Sequence, residues 1–400
     1  MGSAITLALG NLELDWGKNS VFQDHGPLFQ SGDVRPIPYH YVDNQDRSTE
    51  LKQGYSKPLL DVVKRVELLG YTPGSARKEY EMLLSLHEIK PDILPFDRFA
   101  EALQKVDVRS VSIEYEEYHD FGDFFPDEIF DRLRLANAVV DAREARWELR
   151  EMMENFHPWS TLRLLAENPS NLDVAVTWSF ADVVEAGWVD RGEVVLELPK
   201  ARQFLIVTEG SSDAKVLSKA LNLLRPEIAD FFYFVDMEEG YPFSGTGNLY
   251  RFIQGLVSIG VLNQVLVIYD NDAEGSARFA ETERLNIPPN MRVMKLPAVP
   301  AFEHFSTIGP NGPATEDING RAAAMECYLD LSWGTQEQPF VRWKSYNADV
   351  DCYQGELAGK EAYARRFLGL RRREPEYDFS KLTIALDAIV SECVDIAGSC

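Results

Sequence analysis

A chain of 400 residues with 45% hydrophobic content is long enough for two or three domains with real cores. Its formal net charge of −24 excludes a surface that attracts nucleic acid as a whole, so a phosphate backbone would need a local basic patch or bridging cations. The absence of a long apolar run and of a signal-peptide pattern predicts neither a membrane span nor secretion, and four widely spaced cysteines (Cys327, Cys352, Cys393, Cys400) suit a reducing cytoplasm better than structural zinc.

Residues 1 to 55 read as short strands, Ile5 to Leu9 and Leu12 to Leu14, followed by loops rich in Gly, Asp and Pro. Helices are predicted at 57–70, 75–88 and 96–105, the first led by Pro58 near its start. Between 108 and 195 the chain is acidic: Glu114, Glu116, Glu117, Asp120, Asp123, Asp127 and Glu128 suggest a solvated or partner-binding face, and Asp131 to Met153 a long helix. Asp173 to Leu198 shows no clear period and reads as a connector.

From Gln203 onward the pattern sharpens. The apolar run Phe204-Leu205-Ile206-Val207 has the length of a buried strand and breaks into Glu209-Gly210-Ser211-Ser212-Asp213. Val216, Leu217, Ala220, Leu221 and Leu224 recur at helix spacing, and Pro226 closes that helix. A second strand, Phe231 to Val235, ends in Asp236; a glycine-rich loop, Ser244 to Asn248, opens a helix with Leu249, Phe252, Ile253, Leu256 and Ile259 on its apolar face. The third strand, Val265 to Tyr269, ends in Asp270-Asn271-Asp272. Acids at the C-terminal ends of strands stand where open α/β sheets build their sites. Crowded carboxylates repel one another, so hard cations such as Mg2+ would explain their company, although a lone DxD also serves as a solvated turn with an N-cap.

These residues resemble the Toprim domain shared by topoisomerases, bacterial primases and OLD-type nucleases. The run Glu209-Gly210-Ser211-Ser212-Asp213 and the glycine-rich loop are most similar to the OLD-type nucleases. The resemblance covers residues 200–335 and implies a Rossmann-like parallel four-stranded sheet with flanking helices, Glu209 as the acid nearest the chemistry, and Asp270 and Asp272 as metal ligands, with Asp213 and Asp236 as further acids. The N-terminal part, through Met1-Gly2-Ser3, Leu12-Glu13-Leu14 and Lys18-Asn19, resembles the HEPN/Toprim N-terminal domain, which precedes effector modules of bacterial conflict proteins. Arg150 and His157 are spaced like the Arg/His pair of HEPN ribonucleases, but Pro158 breaks the helix such a pair would need.

Beyond Asp272 a helix from Glu274 to Leu285 and a fourth strand, Arg292 to Leu296, are predicted. Thr307 to Pro313 reads as a loop, and Asp317 as the start of a helix that would turn Glu326 toward the acids; Asp317 serves either as a metal ligand or as an N-cap. Lys360, in a predicted helix from Glu356 to Leu370, matches by chain order the lysine of OLD-type nucleases, or is a surface lysine. Arg365, Arg366, Arg371, Arg372 and Arg373 form a basic patch for nucleic acid, or a solvated face paired with Glu361 and Glu374. A final helix runs from Phe379 to Ile396. Three regions are expected: an α+β N-terminal domain over 1–195, a catalytic domain over 200–335, and a helical C-terminal extension over 336–400. The expected activity is phosphodiester hydrolysis of DNA or RNA with Mg2+ or Mn2+, two ions in all, in a role of anti-phage defence. The chain has no GxxxxGK[ST] loop, so nucleotide hydrolysis would belong to a partner ATPase, and a trigger protein or a second copy are further expected partners. The rival expectation is a non-catalytic scaffold that binds such a partner or a phage component.

Overall fold

The computed structural model describes residues 2–43, 46–90, 95–113, 152, 154–195, 197–235, 246–335 and 337–399. The chain divides into two compact units, Met1–Pro199 and Lys200–Cys400.

In the first unit, β1 (Ala4–Leu9) and β2 (Leu12–Lys18) form a tight hairpin turned by Gly10 at φ 60°. A second hairpin, β3 (Val34–Asp43) and β4 (Asp46–Pro58), is followed by α1 (Leu59–Leu68), α2 (Pro73–Leu86), α3 (Phe96–Gln104) and α4 (Pro158–Leu165). Strand β5 (Ala175–Ser179) and two short helices, α5 (Ala181–Glu185) and α6 (Arg191–Val194), complete the unit. The sheet runs β2-β1-β5-β4-β3 and every neighbouring pair is antiparallel. Its central strand β5 lies in the stretch read as a connector. Val176 and Trp178 alternate inward there, a period-two signal too short to stand out in sequence. The loops expected up to residue 55 are likewise the β3–β4 hairpin, where Pro36 and Pro38 break the pattern but Ile37 and Tyr39 are buried. Pro is tolerated because β3 is an edge strand. The acidic stretch from Glu114 to Glu128, the helix expected over Asp131 to Met153 apart from Met152, and Arg150 lie outside the described residues.

The second unit holds a parallel sheet of order β10-β8-β6-β7, with β6 (Phe204–Thr208), β7 (Phe232–Phe234), β8 (Val265–Tyr269) and β10 (Met291–Lys295). Every residue of β8 is buried, as a central strand covered on both faces requires. Helices α7 (Ser211–Leu224), α8 (Thr246–Ile259) and α9 (Ala273–Thr282) accompany it. Directly after β8, the two-residue strand β9 (Asn271–Asp272) pairs antiparallel with β13 (Ala322–Ala323).

A second sheet of order β12-β11-β14-β15 follows in sequence: β11 (Phe305–Gly309), β12 (Gly312–Glu316), β14 (Val341–Asn347) and β15 (Cys352–Leu357). The stretch read as a loop, Thr307 to Pro313, is thus a hairpin whose proline sits on the edge strand β12. Residues 336–400, expected to be helical, begin with the β14–β15 hairpin and only then form α10 (Lys360–Leu368) and α11 (Ser380–Ala397). No long helix follows Asp317: the chain there forms β13 and a 3-10 turn, Met325–Tyr328, that carries Glu326.

Candidate functional site

Parallel register builds the site. Thr208 lies opposite Ile268, so Glu209, the first residue past β6, stands level with Tyr269, and Asp270 follows one position on. The backbone N–H of Asp270 donates to Glu209 Oε1 at 3.0 Å, and the Met325 N–H donates to Asp270 Oδ1 at 3.1 Å. Asp213, three residues into α7, reaches back to accept from the Gly210 N–H at 3.1 Å, the acidic half of a capping box. Asp272 caps α9 by accepting from the Gly275 N–H at 2.7 Å and takes a second bond from Gln354 Nε2 at 2.6 Å. Glu326, 6% exposed, accepts from Ser212 Oγ at 3.5 Å.

The acids open onto a cleft of about 730 Å³ whose walls include Glu209, Asp213, Asp270, Glu326, Lys360 and Arg365. Lys360 starts α10 after Gly359, which turns the chain at φ 72°. Its Nζ pairs with Glu356 Oε1 at 2.9 Å, and Lys344 pairs with the other oxygen of the same carboxylate.

Electrostatics sets this cluster apart. Burial and then Asp272 push Glu209 up to about 8; burial and then Glu326 push Asp213 up to about 7. Asp270 rises well above the ordinary carboxylate range, through burial first and then Asp213 and Glu209. Asp272 rises through burial, partly offset by its bonds from Gly275 and Gln354. Burial lowers the Lys360 ammonium, but Glu356 and Glu326 outweigh it and hold it above its usual value. Carboxylates that repel one another in a poorly solvated place invite either protons or cations.

The expected residues do not all fall here. Asp317 is exposed and accepts from the Asn319 N–H at 2.9 Å, a local turn in place of the expected ligand or helix cap. It reaches β9 only through Asn319, whose Oδ1 accepts from Asn271 Nδ2 at 3.2 Å. Asp236 lies outside the described residues. Of the arginines, Arg365 is exposed and lines the cleft, whereas Arg366 donates to the Trp333 carbonyl at 2.8 Å and stacks over Tyr363. Arg372 pairs with Glu374, Arg373 lies over Phe379, and Arg371 is exposed. Among the described residues, no group of three or more His, Cys, Asp or Glu side chains is gathered closely enough to hold an ion by itself.

Two residues of the site carry no sequence signal of their own kind. Gln354 is brought in by tertiary pairing alone. Gly275 is required by space: a Cβ there would meet the Asp270 carbonyl oxygen at 2.4 Å and Glu209 Oε1 at 3.0 Å. The signal for Gly275 is its position in Asp270-Asn271-Asp272-Ala273-Glu274-Gly275, where a helix starts directly behind a strand end.

Residues 1–202 match the family model HEPN/Toprim N-terminal domain 1. The chain belongs to this family. No match is found among curated proteins or among solved structures. The family match ends where the parallel sheet begins, so the acid cluster lies in the part of this HEPN/Toprim N-terminal domain protein that the family model does not reach. Among its described residues no helix is long and apolar enough to cross a membrane.

Proposed function

We infer that residues 200–335 form a Toprim-type domain of the OLD-nuclease kind that hydrolyses phosphodiester bonds of DNA or RNA with Mg2+ or Mn2+. The observation that carries this reading is the contact of Glu209 with the Asp270 backbone at the ends of neighbouring parallel strands, with Asp213, Glu326 and Lys360 on the same cleft and Asp272 close enough to repel Glu209. The donor set fits a hard cation, since every acidic side chain offers oxygen and their mutual repulsion favours a positive charge between them. Mg2+ commonly rests on one or two carboxylates and fills its shell with water and substrate phosphate, so a closed protein cage is not required.

Glu209, Asp213, Asp270, Asp272 and Glu326 are the residues that would hold the metal. When bound, two ions would supply Lewis-acid stabilisation of the attacking and leaving oxygens. Glu209, if not a ligand, exchanges the proton of the attacking water. Lys360 meets charge developing on the phosphate, and Arg365 on the same wall holds a neighbouring phosphate. Of the other arginines, the exposed Arg371 would add to the basic surface.

The family of residues 1–202 suggests a nuclease-related or defence-type protein, and we place the chain as an effector of bacterial anti-phage defence. A second reading, a non-catalytic protein that binds a partner ATPase or phage component, is favoured by the net charge of −24. Supercoiled plasmid, linear DNA and total tRNA, each incubated with Mg2+ or Mn2+, separate the two. Cutting by the wild type that Asp270→Ala and Glu209→Ala both abolish supports the nuclease. Equal residual cutting in all three proteins identifies a contaminant and refutes it.

A further inference from the structure

Gln354 has no place in the chemistry so far, yet it makes the most directed side-chain contact to the acid cluster. Its Oε1 accepts from the Glu274 backbone N–H at 3.0 Å, in the first turn of α9. Its Nε2 donates to Asp272 Oδ2 at 2.6 Å. The two bonds fix the amide's orientation. A backbone N–H can only donate, so the carbonyl end must face Glu274, and the NH2 end is left for the carboxylate.

The strand that presents Gln354 is itself pinned. Next to it, the Gly355 N–H donates to the Arg321 carbonyl at 3.0 Å, and a Cβ on Gly355 would meet Ala322 Cβ at 2.7 Å and Val341 Cγ1 at 2.6 Å. Arg321 and Ala322 belong to the segment that pairs with Asp272 through β13 and β9. A slip of one residue in β15 would drive a side chain into that contact and turn Gln354 to the other face. The close approach of β15 at Gly355 therefore sets the reach of its neighbour.

We propose that Gln354 is a positioning residue that fixes the Asp272 carboxylate and the first turn of α9 for cation binding by the acid cluster. Asp272 accepts from Gly275 on Oδ1 and from Gln354 on Oδ2, and the geometry of those two bonds dictates which way its remaining lone pairs point. Without Gln354, Asp272 loses a side-chain donor and keeps its backbone partners, Gly275 first and then Glu274, which leaves the Oδ2 end less fixed. Partners that orient a ligand from behind typically change metal affinity by about 10- to 100-fold when removed.

The proposal rests on the metal-dependent reading above, and the test keeps the two apart. Mn2+ binding is followed by loss of the free-ion electron paramagnetic resonance signal for wild type, Asp270→Asn, Gln354→Leu and Gln354→Glu. Gln354→Glu keeps the acceptor for Glu274 and loses the donor to Asp272. The expected result is wild-type binding, none in Asp270→Asn, and affinity weakened about 10-fold or more in Gln354→Leu. Unchanged Mn2+ affinity in both Gln354 variants overturns the positioning role and leaves the metal reading standing. In parallel, urea unfolding of metal-free Gln354→Ala, Asp272→Ala and the double variant measures the pair directly. If wild type binds no Mn2+, the metal reading falls, and this cycle decides what remains: additive effects on the unfolding constant overturn the Gln354–Asp272 link, whereas non-additivity of about threefold or more supports it.

Discussion

Each unit buries a polar cluster, and the two are built on opposite logic. In the first, His25 is 1% exposed and sits between two partners: Trp159 Nε1–H donates to its Nδ1 at 3.0 Å, and its Nε2–H donates to Asp15 Oδ2 at 2.8 Å. His157 caps α4 by accepting from the Trp159 N–H at 3.1 Å and lies 2.6 Å from the Gln23 amide. Glu79 takes the His157 N–H at 2.6 Å and the Ser160 hydroxyl. At His25 and at Glu79 each donor meets an acceptor, so these contacts need no outside group. In the second unit, the buried carboxylates accept mostly from backbone N–H groups and otherwise face one another. A network of matched partners serves the fold; crowded carboxylates with raised pKa values mark the place where a bound cation is proposed.

Filling the space at Gly275 is the harshest way to break the second cluster. Gly275→Ala places a methyl against the Asp270 carbonyl, so strand end and helix must separate. Overpacking of this kind costs about 2 kcal/mol in stability, and displacement of the acids by about 1 Å lowers cleavage about 100-fold. Denaturation and cleavage assays on the same preparation check both.

Acidity then separates the clusters by sign. Glu209 and Asp213 hold protons in the folded protein up to about 8 and about 7, whereas the unfolded chain releases them near 4. Between those limits the folded state binds more protons, so metal-free stability falls as pH rises from about 4.5 to about 8. Asp213→Asn is expected to remove part of that loss and stabilise the metal-free protein at pH 8 by on the order of 2 kcal/mol. Urea unfolding in chelator, repeated with Mg2+ to flatten the trend, measures it.

His157 moves the other way. Burial first, and then His25, lower its imidazole to about 4. Below about 6.5 the unfolded chain takes a proton that the folded protein refuses, so this group drains stability as pH falls from about 6.5 to about 4, by on the order of 2 kcal/mol. Glu79, raised by burial, opposes it from the acid side. His157→Asn keeps a capping oxygen and should flatten the loss in unfolding measured between pH 7.5 and 5.

The smallest expected effect concerns the two adjacent arginines. Arg365→Ala should weaken nucleic-acid binding a few-fold and reduce its salt slope by about one, whereas Arg366→Ala, which loses the Trp333 bond, should alter stability and leave the slope alone.

What the sequence revealed follows from how local each signal is. Strands β6 and β8 announce themselves because a parallel strand buried on both faces is a continuous apolar run that stops at an acid. Lys360, singled out by chain order, lines the cleft, though it begins α10 instead of lying inside a helix from Glu356, because Gly359 separates strand from helix. Strand β5 was hidden by its brevity, and β3 by prolines that a central strand would forbid. The bond from Gln354 to Asp272 could not be read from sequence, because the two stand 82 positions apart and tertiary pairing brings them together.

Glu356 lies between Lys344 and Lys360 with all three side chains partly open to solvent. An ammonium drawn from this trio toward an incoming phosphate strands no anion, because Lys344 keeps the carboxylate company. Releasing the cation then costs no more than parting one surface pair, about 1 kcal/mol or less. Lys360 thus lines the cleft with a counter-ion whose charge Lys344 also balances.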